Sequence, residues 1–288
     1  MRSNVSLAKF YDRLSYYALF TNFLKFGDRF ASFTMHKTLQ IPKEKQSVYT
    51  RSSKLNYIND LVLDVLGLNA NSPTVLDVGS GFGGTIFRWY DRMGGQFTGV
   101  NLSKVQVDIA NNEAKRRGIE NHCQFLCRSF NEPLSAKYDM VVAIESLNYS
   151  PALTKTVMNL VNALKPGGKL IIVDDIIAGN GEEKSNNISV LKKHWQLGSL
   201  PSEKSYQRLF KENNLTIIYE KDLSGQFSLM NFLGLWLIGK VCAVLFLVLP
   251  FDFIHTILSA YIGGVALQRL YHEGLMKYIM IVGEKVSP

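Results

Sequence analysis

Between Thr74 and Tyr219, short continuous apolar runs alternate with longer stretches in which apolar side chains recur every three or four positions. The continuous runs predict buried strands at 74–78, 96–101, 122–127, 138–144, 169–173 and 215–219. The periodic stretches predict helices at 84–93, 103–117 (with Ser103 as N-cap), 152–164 and 203–213. Lys165-Pro166-Gly167-Gly168 reads as a helix stop followed by a turn, and the polar segment 179–187 as a loop. Strands buried on both faces and separated by helices imply an α/β fold built on a parallel sheet.

Both flanks of this core break the alternation. Residues 5–40 read as helix rich in aromatic residues, many at three- and four-residue spacing, which makes an apolar stripe. A loop at Pro42 and 43–46 follows, then an amphipathic helix over 52–68 ending near Gly67. At the other end an apolar segment, 224–274, precedes a last strand at 277–283. The organisation expected is an N-terminal helical cap (1–70), an α/β core (71–223), an apolar helical insert (224–274) and a final core strand (275–288). Lys240 interrupts the apolar run of the insert, and a membrane span wants about 20 uninterrupted apolar residues. The insert therefore reads as a lid over a substrate site, as a helix pair lying on a bilayer surface, or as both.

The chain has 288 residues, of which 47% are hydrophobic, enough for a substantial core. Its net charge is +8, and residues 1–60 carry ten Lys/Arg against four Asp/Glu. That bias suits an anionic surface, a diphosphate-bearing substrate or nucleic acid, or else marks a solvated helical face. Cys123, Cys127 and Cys242 form no metal-ligand pattern and read as buried thiols in a reducing compartment. Met1-Arg2-Ser3-Asn4 leads into polar and aromatic residues rather than the apolar stretch of a secretory signal, so a cytoplasmic location, with peripheral membrane contact as an option, is expected. No two histidines stand at ligand spacing, and no metal is expected.

The candidate chemistry starts where the first strand of the core meets glycines, Val75-Leu76-Asp77-Val78-Gly79-Ser80-Gly81-Phe82-Gly83-Gly84. Glycines let the main chain turn sharply and approach a ligand closely, and the helix that follows offers unpaired N–H groups. The spacing is not that of a dinucleotide fingerprint, and no Lys-Ser/Thr follows to make a phosphate-binding P-loop. The run resembles the cofactor loop of class I S-adenosylmethionine-dependent methyltransferases. Gly99-Val100-Asn101-Leu102-Ser103, with Gln106, is similar to a segment of the sterol, tocopherol and cyclopropane-type lipid methyltransferases, and the Glu-Ser-x-x-Tyr pattern at 145–149 is similar to that of prenyl-diphosphate C-methyltransferases.

The resemblance covers about 74–223 and the last strand, and it implies a Rossmann-like seven-stranded sheet ending in a hairpin that here holds the insert. It implies S-adenosyl-L-methionine as cofactor and S-adenosyl-L-homocysteine as product. The cofactor positions it implies are Asp77, Gly79, Ser80, Gly81, Gly83, Asn101, Leu102, Gln106, Ser129, Phe130 and Ile144. Asn101 replaces the acid most members use for the ribose hydroxyls, and an amide can still accept one of them. In the family the turn after the fourth strand faces the methyl acceptor, which here holds Glu145 and Tyr149. Glu145 follows a buried strand, where desolvation would raise its pKa and suit it as a base; it could equally steady positive charge, or serve the backbone. His194 is a further catalytic candidate, and Tyr11, Tyr16, His36 and Trp195 are substrate-side candidates.

The function expected is methyl transfer to an apolar small molecule of isoprenoid, quinone or polyketide-like natural-product type. Two alternatives stand beside it: a C-methyltransferase of prenyl substrates that also cyclises its product, and a non-catalytic membrane-associated protein of the same fold. Strand four lacks the Asn/Asp-Pro-Pro-Tyr-like motif of nucleic-acid methyltransferases, so nucleic acid is not an expected partner.

Overall fold

The computed structural model describes residues 6–67, 72–179 and 185–286. Met1 to Asn4 and part of the polar segment at 179–187 fall outside them. One sheet organises the protein. Its strands are β1 (Thr74–Val78), β2 (Gln96–Asn101), β3 (Cys123–Cys127), β4 (Tyr138–Ile144), β5 (Leu164–Ile177), β6 (Leu215–Asp222) and β7 (Met276–Lys285). They lie in the order β3-β2-β1-β4-β5-β7-β6; the first five are parallel, and β7 runs antiparallel between β5 and β6. Successive strands step outward in one direction from β1 and in the other from β4. The carboxyl ends of those two strands therefore flank a crevice, the usual ligand position in open α/β sheets.

Side chains alternate across each strand, so the sheet has two buried faces. Val75, Phe97, Val142 and Val173 pack with Trp89 and Phe87 of α3 (Gly84–Met93) and Tyr57 of α2 (Tyr57–Leu66). Leu76, Val78, Val141 and Ile172 pack on the other face with Leu160 of α5 (Leu153–Asn162) and with Tyr206 and Phe210 of α7 (Glu203–Glu212). Trp89, Tyr206 and Phe210 are fully buried, and truncating such a side chain to alanine costs about 3–5 kcal/mol. α4 (Lys104–Arg116) starts where expected, with Ser103 Oγ accepting from the Gln106 amide.

Elsewhere the local pattern was overridden. The aromatic N-terminal helix α1 (Leu7–Phe26) stops at Gly27, whose φ of 74° ends the helical path, and the segment from there to Pro42 runs irregularly back to the sheet. The expected loop at 43–46 is a 3-10 helix, Lys43–Val48. The Lys165–Gly168 turn exists as a bulge between Tyr138–Leu164 and Met140–Lys169 pairings, but β5 then runs on past Val173 to Ile177, because β7 pairs with it throughout. Ser185 caps a helix absent from the sequence reading, α6 (Asn186–Trp195). Cys127, expected to be buried, is exposed, whereas burial pushes the Cys123 thiol up to about 12. The insert is two helices, α8 (Phe232–Val248) and α9 (Asp252–His272), and Lys240 does not break α8. α9 packs on α6 through Ala266, Leu267, Leu270 and Leu191.

Candidate active site

The loop after β1 is held tightly against β2: the amides of Gly79 and Ser80 both donate to the Val100 carbonyl, at 2.8 and 3.2 Å. Gly79 has φ 79°, and a Cβ there would lie 2.5 Å from the Cβ of Ser146, so two turns from neighbouring strands meet with no room for a side chain. Gly81, at φ 54°, differs: a Cβ there would meet nothing within 4 Å, because it faces the cavity. Asp77 is buried just beneath, with no countercharge, and desolvation raises its carboxyl to about 7.

Above the loop is a cavity of about 260 Å³. Its polar floor is made of the glycine loop, Asn101, Glu145, Ser146, Asn148 and the pair Asp174–Asp175. Its upper wall is apolar and comes from three helices: Leu7, Phe10, Tyr11 and Leu14 of α1, Leu191 and Trp195 of α6, and Ala260 of α9. The irregular segment after α1 adds Phe33, Met35, His36 and Lys37. α1 is fastened over the cavity by Asp12, which accepts from Ser103 Oγ at 2.6 Å, by an Arg13–Asp252 ion pair at 3.0 Å, and by a Tyr17–Tyr261 hydroxyl contact at 2.6 Å.

The floor holds a charge cluster. Glu145 has a left-handed φ of 53°, a strained conformation for a side-chain-bearing residue and one found most often at functional sites. Its Oε1 accepts from the Lys37 amide at 2.9 Å and from the Tyr278 hydroxyl at 2.8 Å. Lys37 Nζ is 3.7 Å from that oxygen, 2.6 Å from Asp175 Oδ2 and 4.5 Å from the Tyr278 ring centre. Tyr271 donates its hydroxyl to Asp175. Burial pushes the Glu145 carboxyl up, but Lys37 and the two donors outweigh it and hold it below the ordinary value. The raised pKa expected from the sequence is thus reversed, because the strand end meets a lysine from the N-terminal segment. Burial and the neighbouring Asp175 push Asp174 up to about 8, while its oxygens accept from the amides of Leu147, Asn148 and Asp175 and from Asn148 Nδ2. Burial lowers the pKa of His36 and keeps its imidazole neutral; Nε2 is 3.2 Å from Thr85 Oγ1.

Of the residues singled out in the sequence, Gly79, Ser80, Gly81, Asn101, Leu102, Gln106, Phe130 and Ile144 line the cavity, as do Glu145, Tyr149, Tyr11, His36 and Trp195. Asn101 is turned to Gln106, donating from Nδ2 to Oε1 at 2.6 Å. Tyr11 and Tyr149 meet edge to face at 5.4 Å, and burial keeps both phenols protonated. Trp195 donates from Nε1 to the Ala260 carbonyl, its ring lying where a Cβ on Gly263 would be.

Five others are elsewhere. Tyr16 is 57% exposed, because α1 gives the cavity the face of Leu7, Phe10, Tyr11 and Leu14. His194 is one residue, about 100° of helix, from Trp195; its ring packs on Phe246 and its Nδ1 is 3.3 Å from Ser259 Oγ. Ser129 turns back to accept from the Asn131 amide. Gly83 caps α3 against Phe125, and Asp77 is under the loop rather than on the cavity wall. Lys37, Asp174 and Asp175 were missed. Two acids directly after the apolar run Leu170–Val173 were a visible signal; nothing in the sequence paired them with Lys37.

Among the described residues no group of three His, Cys, Asp or Glu could hold a metal ion, and no helix is long and apolar enough to cross a membrane.

The family profile described as methyltransferase domain matches residues 70–214. A sterol 4-C-methyltransferase of Caenorhabditis elegans is 34% identical over 113 residues, covering 38% of this chain and 33% of the worm protein. A tocopherol O-methyltransferase of Arabidopsis thaliana is 34% identical over 101 residues, covering 34% of this chain and 29% of the plant protein. The sequence thus matches about a third of the length of these two relatives. The fold is similar over nearly its whole length to a geranyl diphosphate methyltransferase solved with GPP and sinefungin, with a TM-score of 0.72, 19% identity, and 97% and 98% of the two proteins covered. The matched profile spans half of the sequence and falls on the strands and turns that build the cavity floor, and the chain belongs to the methyltransferase domain family.

Proposed function

We propose that this protein transfers a methyl group from S-adenosylmethionine to an uncharged, lipophilic small molecule held in the cavity. The observation that carries the reading is the join of two surfaces: an apolar chamber closes directly over the glycine loop, with Glu145 at the seam. The cofactor fits the polar half. Ser80 Oγ, Ser146 Oγ and Asn148 Oδ1, on residues that line the cavity, are buried without a protein hydrogen-bond partner, as expected of atoms that face a polar ligand. Gly81 leaves open space beside them, and Asn101 at the end of β2 and Gln106 in the first turn of α4 line the cavity where ribose hydroxyls would lie.

Bound there, the sulfonium supplies an electrophilic methyl. What this protein adds is alignment and charge. Phe10, Leu14 and Trp195 exclude water and hold the acceptor against the floor, which removes much of the entropic barrier to an in-line displacement. Glu145, kept ionised by Lys37, is a weak base but a strong anionic neighbour for positive charge developing on the acceptor. The floor also argues for the charge of the acceptor. The carboxylates of Glu145 and Asp175 share the one ammonium of Lys37, which among the described residues leaves no unpaired cation there for a phosphate and suits a reacting end that is uncharged or becomes cationic.

Two variants test this together with labelled S-adenosylmethionine and a panel of sterols, quinones and prenyl alcohols. Gly81→Arg fills the open space and is expected to abolish calorimetric binding of S-adenosylhomocysteine. Glu145→Gln is expected to keep that binding and lower kcat by about 100-fold. Unchanged cofactor affinity in Gly81→Arg refutes the site; full turnover in Glu145→Gln removes the carboxylate from the chemistry.

A further inference from the structure

α8 has the wrong surface for a helix in water. Leu235 and Cys242 are buried against the protein, and the opposite side shows Phe232, Leu233, Trp236, Val244, Leu247 and Val248 at helical spacing. Leu247 is 76% exposed, Leu233 68% and Trp236 51%; Phe251 and Phe253 extend the same apolar surface onto the start of α9. A water-facing stripe on a globular protein is ordinarily polar, and an exposed apolar patch of this extent marks a contact site.

The charges around it say what kind of contact. Between Asp222 and Glu273 the sequence has a single acid, Asp252, and that acid is paired with Arg13 at 3.0 Å. Lys240 stands exposed in the middle of the stripe. Lys192 and Lys193 are exposed on α6, next to His194, whose ring meets Phe246 of α8. A second copy docked by this face about a twofold axis would set these cations against their own counterparts with no acid to pair them. An occupant with an apolar interior and an anionic surface satisfies both features.

We infer that α8 docks this protein on an anionic phospholipid surface, with the helix lying in the interface. At about 25 Å in length it would lie flat, burying its leucines and Trp236 in the acyl boundary while Lys240 reaches up to the headgroups. α9 joins this surface to the catalytic chamber, since Ala260 lines the cavity. A lipophilic acceptor therefore has a route from the bilayer along α9. That route rests on the methyl-transfer reading; the docking does not.

Trp236 is a built-in reporter, because Trp89 is fully buried and Trp195 is packed on α9. The full-length protein is mixed with vesicles of phosphatidylcholine alone, or of phosphatidylcholine with phosphatidylserine, and followed by flotation and tryptophan emission. Expected is co-flotation with the anionic vesicles, a blue shift, and weakening as salt is raised. Leu233→Glu with Leu247→Glu is expected to bind about tenfold more weakly or worse, and Lys240→Glu to lose the preference for anionic vesicles. Unchanged thermal unfolding and S-adenosylhomocysteine affinity in the variants show that the core is intact. The proposal is overturned if the wild type floats with neither vesicle, if the double variant floats as well as wild type, or if the face instead makes a dimer that the double variant dissolves.

Discussion

Replacing Lys37 by methionine removes a buried ammonium and keeps most of the side-chain volume. The ammonium is 2.6 Å from one carboxylate, Asp175, and 3.7 Å from a second, Glu145. At an effective dielectric constant of about 20, a unit pair at 3.7 Å attracts by about 4 kcal/mol, and the closer pair by more. Much of that attraction offsets the cost of burying the charges, and breaking a buried pair from one side typically costs about 3 kcal/mol or more. The loss depends on pH in a definite direction. In the wild type the Glu145 carboxyl is held below its ordinary value, so it contributes stability above the unfolded pKa, lost as pH falls through the folded one. Without Lys37, burial raises Glu145 and pushes Asp175, already raised, further up; such groups contribute stability below the unfolded pKa, lost as pH rises through the folded one. Lys37→Met should therefore cost about 3 kcal/mol near pH 8 and about half of that or less near pH 5, where the acids take up protons. Urea unfolding of both proteins, followed by fluorescence at the two pH values, measures this. A cost under about 1 kcal/mol at both values, or one that does not change with pH, would show that Lys37 does not neutralise the floor.

Two further outcomes follow from the glycine loop. Gly79→Ala places a Cβ 2.5 Å from that of Ser146 at a φ of 79°; the left-handed conformation alone costs about 1–2 kcal/mol, and thermal unfolding should show a larger loss that Ser146→Gly partly restores. If Gly79→Ala melts like the wild type, the two turns do not touch. Asp77→Asn removes a carboxyl raised to about 7, whose contribution is present at low pH and lost as pH rises through that value. Without bound cofactor the variant's advantage over wild type should widen by on the order of 3 kcal/mol between pH 5 and pH 8, a change that calorimetric melting at both values would either find or deny.

The pattern of runs and periods placed β1 to β4, α3, α4 and α7 within a residue or two, because each is fixed by neighbours in sequence: a glycine, a cap, a strand's width of valines and isoleucines. The same locality explains why the cavity-lining part of the site was visible. Gly79–Gly81, Asn101–Leu102 and Ile144–Glu145 each follow directly from a strand end. α6 was passed over although Ile188, Leu191 and Trp195 recur at helical spacing, because the stretch is short, follows a polar segment, and buries that face only against α9, far away in the sequence.

The sequence by itself determined the parallel α/β core, the glycine turn after β1 and the presence of an apolar appendage, since hydrophobic period and glycine placement act over a few residues. Only the tertiary structure decided the charge state of Glu145, because the residue that controls it, Lys37, is brought across by an irregular segment with no period to read. Folding likewise chose between Trp195 and its neighbour His194, and between Tyr11 and Tyr16. Which side of a helix becomes a chamber wall is set by what packs on its other side, and that information resides in distant parts of the sequence.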